Sequence, residues 1–253
     1  FVANRGFAIF SSRKEILQQF IKMNWKVIIV TSDDEYSQLM VKLGVILEPV
    51  NFKRTQAKNA HNLNTLCKLA LIIRKYKPNL VHNFHSKPII LSSIISRLLL
   101  GKSTRVVNTI TGLGRSIPNS GFSRGLSIYA YKLACWCSDK VIFQNHDDRM
   151  FFICDDVCCE SKAELIISAG VDAVKFPYIQ RRLGFDDKPV VVMVGRILKS
   201  KGVNHFINIA EQAYKIWPNI KFFWAGEADV EDPDKVQLHA ITNNSHVDFV
   251  GNV

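Results

Sequence analysis

Short apolar runs alternate with segments of helical period along nearly the whole chain, and that alternation limits the folds open to it. The runs Phe1–Ala3, Lys26–Thr31, Val45–Val50, Leu80–Phe84, Arg105–Ile110, Lys140–Gln144 and Glu164–Ser168 read as strands. Residues 11–23, 34–43, 60–76, 88–100, 122–138 and 146–154 carry apolar side chains at helical spacing. Strands separated by helices of this length predict a parallel, doubly wound α/β sheet. Local punctuation agrees. Asn24 stands where a helix end favours a left-handed residue, Ser32 and Asp33 can cap the helix at 34, and Pro78 stops a helix before a strand. Residues 170–189, mixed in character and holding two prolines, interrupt the series. A second series follows: strand Val190–Val194, helix 202–217, strand Ile220–Ala225, a polar helix near 233–244 and strand Val247–Val250. The expected organisation is therefore two Rossmann-like doubly wound parallel-sheet domains, residues 1–175 and 176–253, the second incomplete. The chain opens on what reads as half a strand and stops at the start of a turn, so truncation at both ends is expected.

The join between the two halves holds the most chemical stretch, VVMVGRILKSKG. Five uninterrupted apolar residues, Val190–Val194, predict a strand buried on both faces. Gly195, Arg196, Lys201 and Gly202 then lie between the strand's carboxyl end and the start of the next helix. Ligands of open α/β sheets bind at that end, and a helix N-terminus presents free N–H groups to an anion. With Arg196 and Lys201 beside it, the turn suggests a phosphate or diphosphate site.

Charge narrows the partners. Lys and Arg outnumber Asp and Glu by 33 to 22, for a net charge of +11. Residues 1–180 hold 24 basic and 13 acidic residues, whereas residues 181–253 hold 9 of each. A field of that sign on one half favours an anionic partner. The basic residues are scattered among helices and form no RNA-reading motif, so nucleic acid is not the expected partner. No apolar run reaches the ~18 to 20 residues of a membrane span; Arg97 interrupts the nearest candidate, residues 88–100. Binding to an anionic membrane surface is expected instead at residues 121–137, where Arg124 and Lys132, with Arg115 just before, accompany Phe122, Tyr129, Tyr131 and Trp136. The six cysteines show neither a disulfide framework nor zinc spacing, and they read as reduced, mostly buried thiols. His82 and His85, three apart on an extended segment, point to opposite sides and do not form a metal pair.

Six motifs in order resemble the retaining glycosyltransferases of family 4, which have the GT-B fold, especially bacterial enzymes of lipid-linked surface polysaccharides. They are HNFHSKP (82–88), VVNTITGLG (106–114), VIFQNHDD (141–148), ISAGVDAVKF (167–176), VGRILKSKG (194–202) and FFWAGEAD (222–229). Two positions depart from the pattern: Ile167–Ser168 replaces a common Pro-Gly, and Thr111 stands where many relatives have His. The family's Glu-x7-Glu element would lie beyond Val253, so the 253-residue chain is expected to bind donor weakly and not to turn over.

The resemblance implies transfer of a sugar from a nucleotide sugar, with UDP the expected nucleotide, to a polyprenyl-diphosphate-linked saccharide, with retention and without a metal or other cofactor. It places Gly195, Arg196, Lys201, Gly202 and Glu227 on the donor. His85 becomes the catalytic candidate, and Gly6, Arg13, Thr111, Gly112, Gly114, Gln144 and Asn145 line the acceptor side of the cleft. It also implies a cytoplasmic protein, peripheral on the inner face of the cell membrane. A nucleotide-sugar epimerase of the same fold and a non-catalytic subunit that binds a lipid-linked sugar are the alternatives.

Overall fold

The computed structural model describes residues 1–52, 59–113, 117, 120–167, 170–180, 189–228, 234–236 and 246–251. Gly114, Arg115, Ser168 and most of the expected helix 233–244 lie outside the described residues. The chain divides into two compact units, Phe1–Asp172 and Ala173–Val253, beside the boundary expected from the sequence.

The first unit alternates as the sequence predicts: α1 (Gly6–Lys22), β1 (Ile28–Thr31), α2 (Glu35–Val41), β2 (Ile46–Pro49), α3 (Asn59–Tyr76), β3 (Leu80–Phe84), α4 (Ser86–Leu100), β4 (Arg105–Ile110), α5 (Phe122–Cys137), β5 (Lys140–Phe143), α6 (His146–Cys154) and β6 (Ala163–Leu165). Strands β1 and β2 pair in parallel, as do β3 through β6 in order. The opening segment joins the two groups. Val2 bridges in parallel to Val30 on one side and to Asn83 on the other. The expected strand Phe1–Ala3 is thus reduced to one bridged residue, although its backbone bonds reach both neighbours. The sheet order reverses beside this segment, as in doubly wound folds.

Burial explains the elements. Val2, Val30, Leu69, Ile73, Val81 and Ile95 form one core cluster, and Ala3, Ile9, Leu17, Ile29, Met40 and Phe84 another. Tyr131, Phe143 and Phe152 meet edge to face in a third. Helix α1 begins five residues before the apolar period starts, because the carboxylate of Asp34 accepts a hydrogen bond from the Gly6 N–H at 2.8 Å. The cap of α2 is Asp34, not Ser32 or Asp33: its Oδ1 accepts from the Ser37 N–H, and Ser37 Oγ receives the Asp34 N–H in return. Asn24 has the left-handed φ of 60° expected of it. Three cysteines are buried and three, Cys67, Cys154 and Cys159, are exposed, so the expected burial holds for half of them; all six are free thiols.

Under α4 lies a polar seam. Asn83 and Asn108 face each other in the β3–β4 register and are fully buried. The Asn83 amide donates to Asn108 Oδ1 at 2.9 Å and to Ser93 Oγ at 3.2 Å, and Ser93 Oγ donates to Asn108 Oδ1 at 2.9 Å.

The second unit holds β7 (Val190–Val194), α7 (Val203–Ile216), β8 (Lys221–Ala225) and β9 (Val247–Gly251), with the strands parallel in that order. Its core gathers Ile197, Val203, Ala210, Phe222, Trp224 and Val247. The expectation for β7 is corrected here. Val190, Val192 and Val194 are 55%, 56% and 76% exposed rather than buried. Among the described residues β7, the first strand in the order, pairs only with β8, and nothing covers its Val190–Val192–Val194 face. Among the described residues no helix is long and apolar enough to cross a membrane.

Candidate functional site

In the first unit the order reversal lies between Val2 and β3, so the turns leaving these two segments lie side by side at the strands' carboxyl ends, where open α/β sheets bind ligands. Asn4 and His85 occupy them. The Asn4 N–H donates to His85 Nδ1 at 3.4 Å, and Ser32 Oγ donates to the Asn4 carbonyl at 2.8 Å. Among the described residues Asn4 Oδ1, which is buried, has no hydrogen-bond partner. His85 stands at the N-cap of α4 with φ 68° and ψ 158°, and its side chain caps nothing. A non-glycine residue held at positive φ is strained, and such strain persists where the surrounding structure over-determines it. Burial lowers the pKa of its imidazole, as do the nearby charges of Arg5 and Arg13, against an opposing pull from the Phe84 backbone. His85 is therefore neutral at physiological pH, able to exchange a hydrogen bond with a ligand but carrying no charge.

Arg13, one of the expected residues, is only 7% exposed. Its guanidinium donates to the Ser12 carbonyl at 2.7 Å and lies over the Phe84 ring, 5.3 Å from the centroid. Among the described residues no carboxylate pairs with it. A buried cation without a counter-charge is costly, and no local pattern in the sequence signals this burial.

Gly6 has a packing role. A Cβ there would stand 2.2 Å from Asp34 Oδ1 and 2.7 Å from the Ser37 nitrogen, and its N–H is already taken by Asp34. The loop after β4 carries Thr111, exposed, and Gly112, at φ 130°. The Leu113 N–H donates to Asp148 Oδ2 at 3.2 Å. Asn145 is the N-cap of α6: its Oδ1 accepts from the Asp148 N–H at 2.7 Å and its amide donates to Asp148 Oδ2 at 2.7 Å. The Gln-Asn motif thus ties the 111–113 loop to α6 through Asp148, the last residue of the VIFQNHDD motif. Gln144 is half-buried beside it.

His82 plays a different part from His85. Its Nε2 is 2.7 Å from Thr109 Oγ1, and its ring packs against Phe84 and Phe1. Burial, aided by Arg13, pushes its pKa down to about 3. A folded pKa below the unfolded value means that the unfolded chain binds the proton better. The resulting stability is present in full above about pH 6.5 and is lost as pH falls toward about 3. We expect the first unit to lose several kcal/mol across this window. His82→Gln, which can still bond Thr109, flattens the profile. Denaturant unfolding from pH 7 to pH 4 measures this, and parallel profiles for the two proteins would contradict it.

In the second unit, β7 delivers Gly195 beside Gly226. The Gly195 N–H donates to the Ala225 carbonyl at 2.9 Å, Trp224 Nε1 donates to the Gly195 carbonyl at 2.7 Å, and the Ile197 N–H donates to the Glu227 carbonyl at 3.0 Å. Lys199–Lys201 form a single 3-10 turn, and Gly202, at φ 78° and ψ 25°, begins α7 with no side-chain cap. Arg196, Lys199, Lys201 and Glu227 are exposed. One feature limits where an anion can bind. Asp234 Oδ2 accepts the Ser200 N–H at 2.8 Å, so the 3-10 turn already holds a carboxylate. The open N–H groups are those of α7, after Gly202. Among the described residues no group of three His, Cys, Asp or Glu side chains could hold a metal ion.

Residues 2–145 match the Glycosyl transferase 4-like family. The chain is 24% identical over 268 aligned residues to the N,N'-diacetylbacillosaminyl-diphospho-undecaprenol alpha-1,3-N-acetylgalactosaminyltransferase of Campylobacter jejuni, covering 99% of this chain and 68% of that protein. It is 25% identical to the capsular polysaccharide biosynthesis glycosyltransferase CapM of Staphylococcus aureus, covering 92% of this chain and 62% of that protein. Among solved structures, Anabaena HepE, in complex with UDP and glucose, superposes with a TM-score of 0.68 at 14% identity over 100% of this chain and 68% of HepE. UDP-N-acetylglucosamine 2-epimerases share the fold as well. The fold is that of the GT-B proteins, and with more than half of its length matched the chain belongs to the Glycosyl transferase 4-like family.

Proposed function

We propose that this protein transfers a sugar from a UDP-sugar to a polyprenyl-diphosphate-linked saccharide, with retention at the anomeric carbon, in the synthesis of a bacterial surface polysaccharide or glycan. The observation that carries this reading is the set of side chains at the first unit's switch point. Neutral His85, the unpartnered oxygen of Asn4 and buried Arg13 together suit a hydroxyl-rich ligand with a negative charge nearby. A sugar next to a diphosphate has that character. In this reading His85 hydrogen-bonds the transferred sugar or the acceptor hydroxyl.

The second unit supplies the leaving-group chemistry. As the glycosidic bond to the donor breaks, negative charge grows on the departing diphosphate. Arg196, Lys201 and the uncapped start of α7 are fixed positive groups that stabilise this charge where it develops. In this proposal they serve in place of a metal ion. Glu227, whose carbonyl braces the turn, lines the nucleotide.

The test is incorporation of labelled sugar from UDP-sugars into a polyprenyl-diphosphate-linked acceptor by protein that carries the Glu-x7-Glu element. His85→Ala is expected to lower the rate by ~10²-fold, the size of a lost acid–base or positioning group. His85→Gly separates strain from chemistry. It should be as inactive as the alanine variant yet more stable than it by ~1–2 kcal/mol, because glycine accepts the positive φ. Unchanged transfer in both variants removes His85 from the site. Interconversion of free UDP-sugars without acceptor would instead assign the protein to the epimerases, and acceptor binding without either reaction would make it a non-catalytic subunit.

A further inference from the structure

We propose that Cys135 and Cys158 form a modification site: a buried dithiol that hydrogen peroxide closes to a disulfide, stapling α5 to the segment after α6, and that thiols reopen. The inference lies outside the transfer reading and does not rest on it.

The two cysteines come from separate elements and meet inside the first unit. Helix α5 turns Cys135 inward in its last turn, on the side that also buries Tyr131 and Ala134, so Tyr131 drops out of the membrane-facing set expected from the sequence. A backbone turn brings Cys158 to the same place. After α6 the chain doubles back at Asp156, which has a left-handed φ of 53°. The Phe152 carbonyl then accepts the N–H groups of both Val157 and Cys158, at 2.8 and 3.0 Å. The two thiols join one core cluster, at 3% and 5% exposure, and share a hydrogen bond.

Burial in hydrocarbon alone leaves a thiol inert. This pair lies beside two cations. Lys162 Nζ donates to the carbonyls of Cys135 at 3.2 Å, Trp136 at 3.2 Å and Ser138 at 2.7 Å, which pins it to the end of α5. Arg149 comes from α6, where its Nε donates to the Ala163 carbonyl at 3.0 Å. The hydrogen bond from Cys135 holds the Cys158 thiol below its ordinary pKa against burial, and Lys162 and Arg149 add to this. The same bond, with burial, pushes the Cys135 thiol up. One sulfur is thus the readier thiolate, and its neighbour stays protonated. These are the parts of an attacking and a resolving thiol.

The chemistry balances with hydrogen peroxide as oxidant. The Cys158 thiolate attacks one peroxide oxygen, the O–O bond breaks, and the other oxygen takes up the proton that Cys158 lost and leaves as water. Cys158 is then a sulfenic acid. The Cys135 sulfur attacks the Cys158 sulfur, the S–O bond breaks, and the departing hydroxide leaves as water with the Cys135 proton. Each sulfur loses one electron, and the peroxide gains two. Bulkier oxidants meet the exposed Cys67, Cys154 and Cys159 first.

The test is treatment of the folded chain with hydrogen peroxide, then alkylation in denaturant and peptide mass mapping. The peptides of Cys135 and Cys158 should be joined with the loss of two hydrogens, and dithiothreitol should part them. Oxidation should raise the unfolding midpoint by ~5 °C or more, because the staple restricts the unfolded chain. Cys135→Ala and Cys158→Ala should each abolish the rise. Only Cys135→Ala should leave a sulfenic acid at Cys158 that dimedone traps, whereas Cys159→Ser should oxidise like the parent. The mapping needs no variant, so a variant that folds poorly does not blunt it. The proposal is overturned if Cys135 and Cys158 stay free under peroxide that oxidises the exposed cysteines, or if either pairs with Cys154 or Cys159 instead. A linkage that forms only in the unfolded chain, or a midpoint that the linkage leaves unmoved, overturns it too.

Discussion

Replacing Arg196 or Lys201 by alanine should lower sugar transfer by ~10²-fold or more, the loss seen when one fixed donor to a developing charge is removed. Both side chains are exposed on a turn, so the unfolding midpoint should hardly move. The defect should appear in turnover more than in KM, because the charge they stabilise is greatest in the transition state. A sharper expectation follows from Asp234. Its carboxylate competes for the same end of the second unit, where it binds the Ser200 N–H. Asp234→Asn removes a negative charge beside the proposed diphosphate site and should tighten UDP, while Arg196→Ala and Lys201→Ala weaken it. Initial rates and calorimetry with UDP give both answers. Equal turnover in the two alanine variants would remove the diphosphate reading of this turn.

Gly226→Ala should be the most damaging single methyl in the second unit. A Cβ at this position would stand 2.0 Å from the Gly195 carbonyl oxygen and 2.7 Å from its carbon. Both are backbone atoms, and the Trp224 indole already holds that carbonyl at 2.7 Å. The residue's φ of 145° adds conformational cost for any side chain. Overpacking and strain together predict a loss of ~2–5 kcal/mol. Gly44→Ala is the control: it shares a positive φ, 94°, but nothing stands within 4 Å of its added methyl. It should cost ~1–2 kcal/mol, the conformational part alone. Denaturant unfolding of the two variants separates clash from strain. Equal losses would mean that the Gly195–Gly226 contact is loose.

The alternation of apolar runs with helical periods was enough to read the fold, because burial fixes both periods and a parallel sheet requires its crossovers. Element ends were less legible. Helix α1 starts at Gly6 because of a carboxylate 28 residues away, and no local window contains that partner. The burial of β7 was misread for a similar reason: an apolar run says what a strand would prefer to touch, not what lies against it. Of the site, the motif residues could be found by resemblance, whereas their parts came only with coordinates. Gly6 and Asn145 proved to hold helix ends. The isolation of Arg13 from carboxylates among the described residues depends on where other chain segments pass, and no spacing in the sequence reports it.

The seam of Asn83, Asn108 and Ser93 has a consequence for how the turns after β3 and β4 are set. Neighbouring strands of valine, isoleucine and phenylalanine could slide past one another by two residues and still bury the same kind of surface. Amides cannot slide so freely. Shifted out of register, Asn83 and Asn108 would each face hydrocarbon, at ~1–3 kcal/mol apiece. The seam therefore works as a vernier, selecting one alignment of β3 against β4 from several of similar hydrophobic content. His85 lies two residues past Asn83 and Thr111 three past Asn108, so the notch that aligns the strands also levels the two turns that follow them. Stability would be served as well by two valines at these positions, but the height of one turn against the other would then be free to vary.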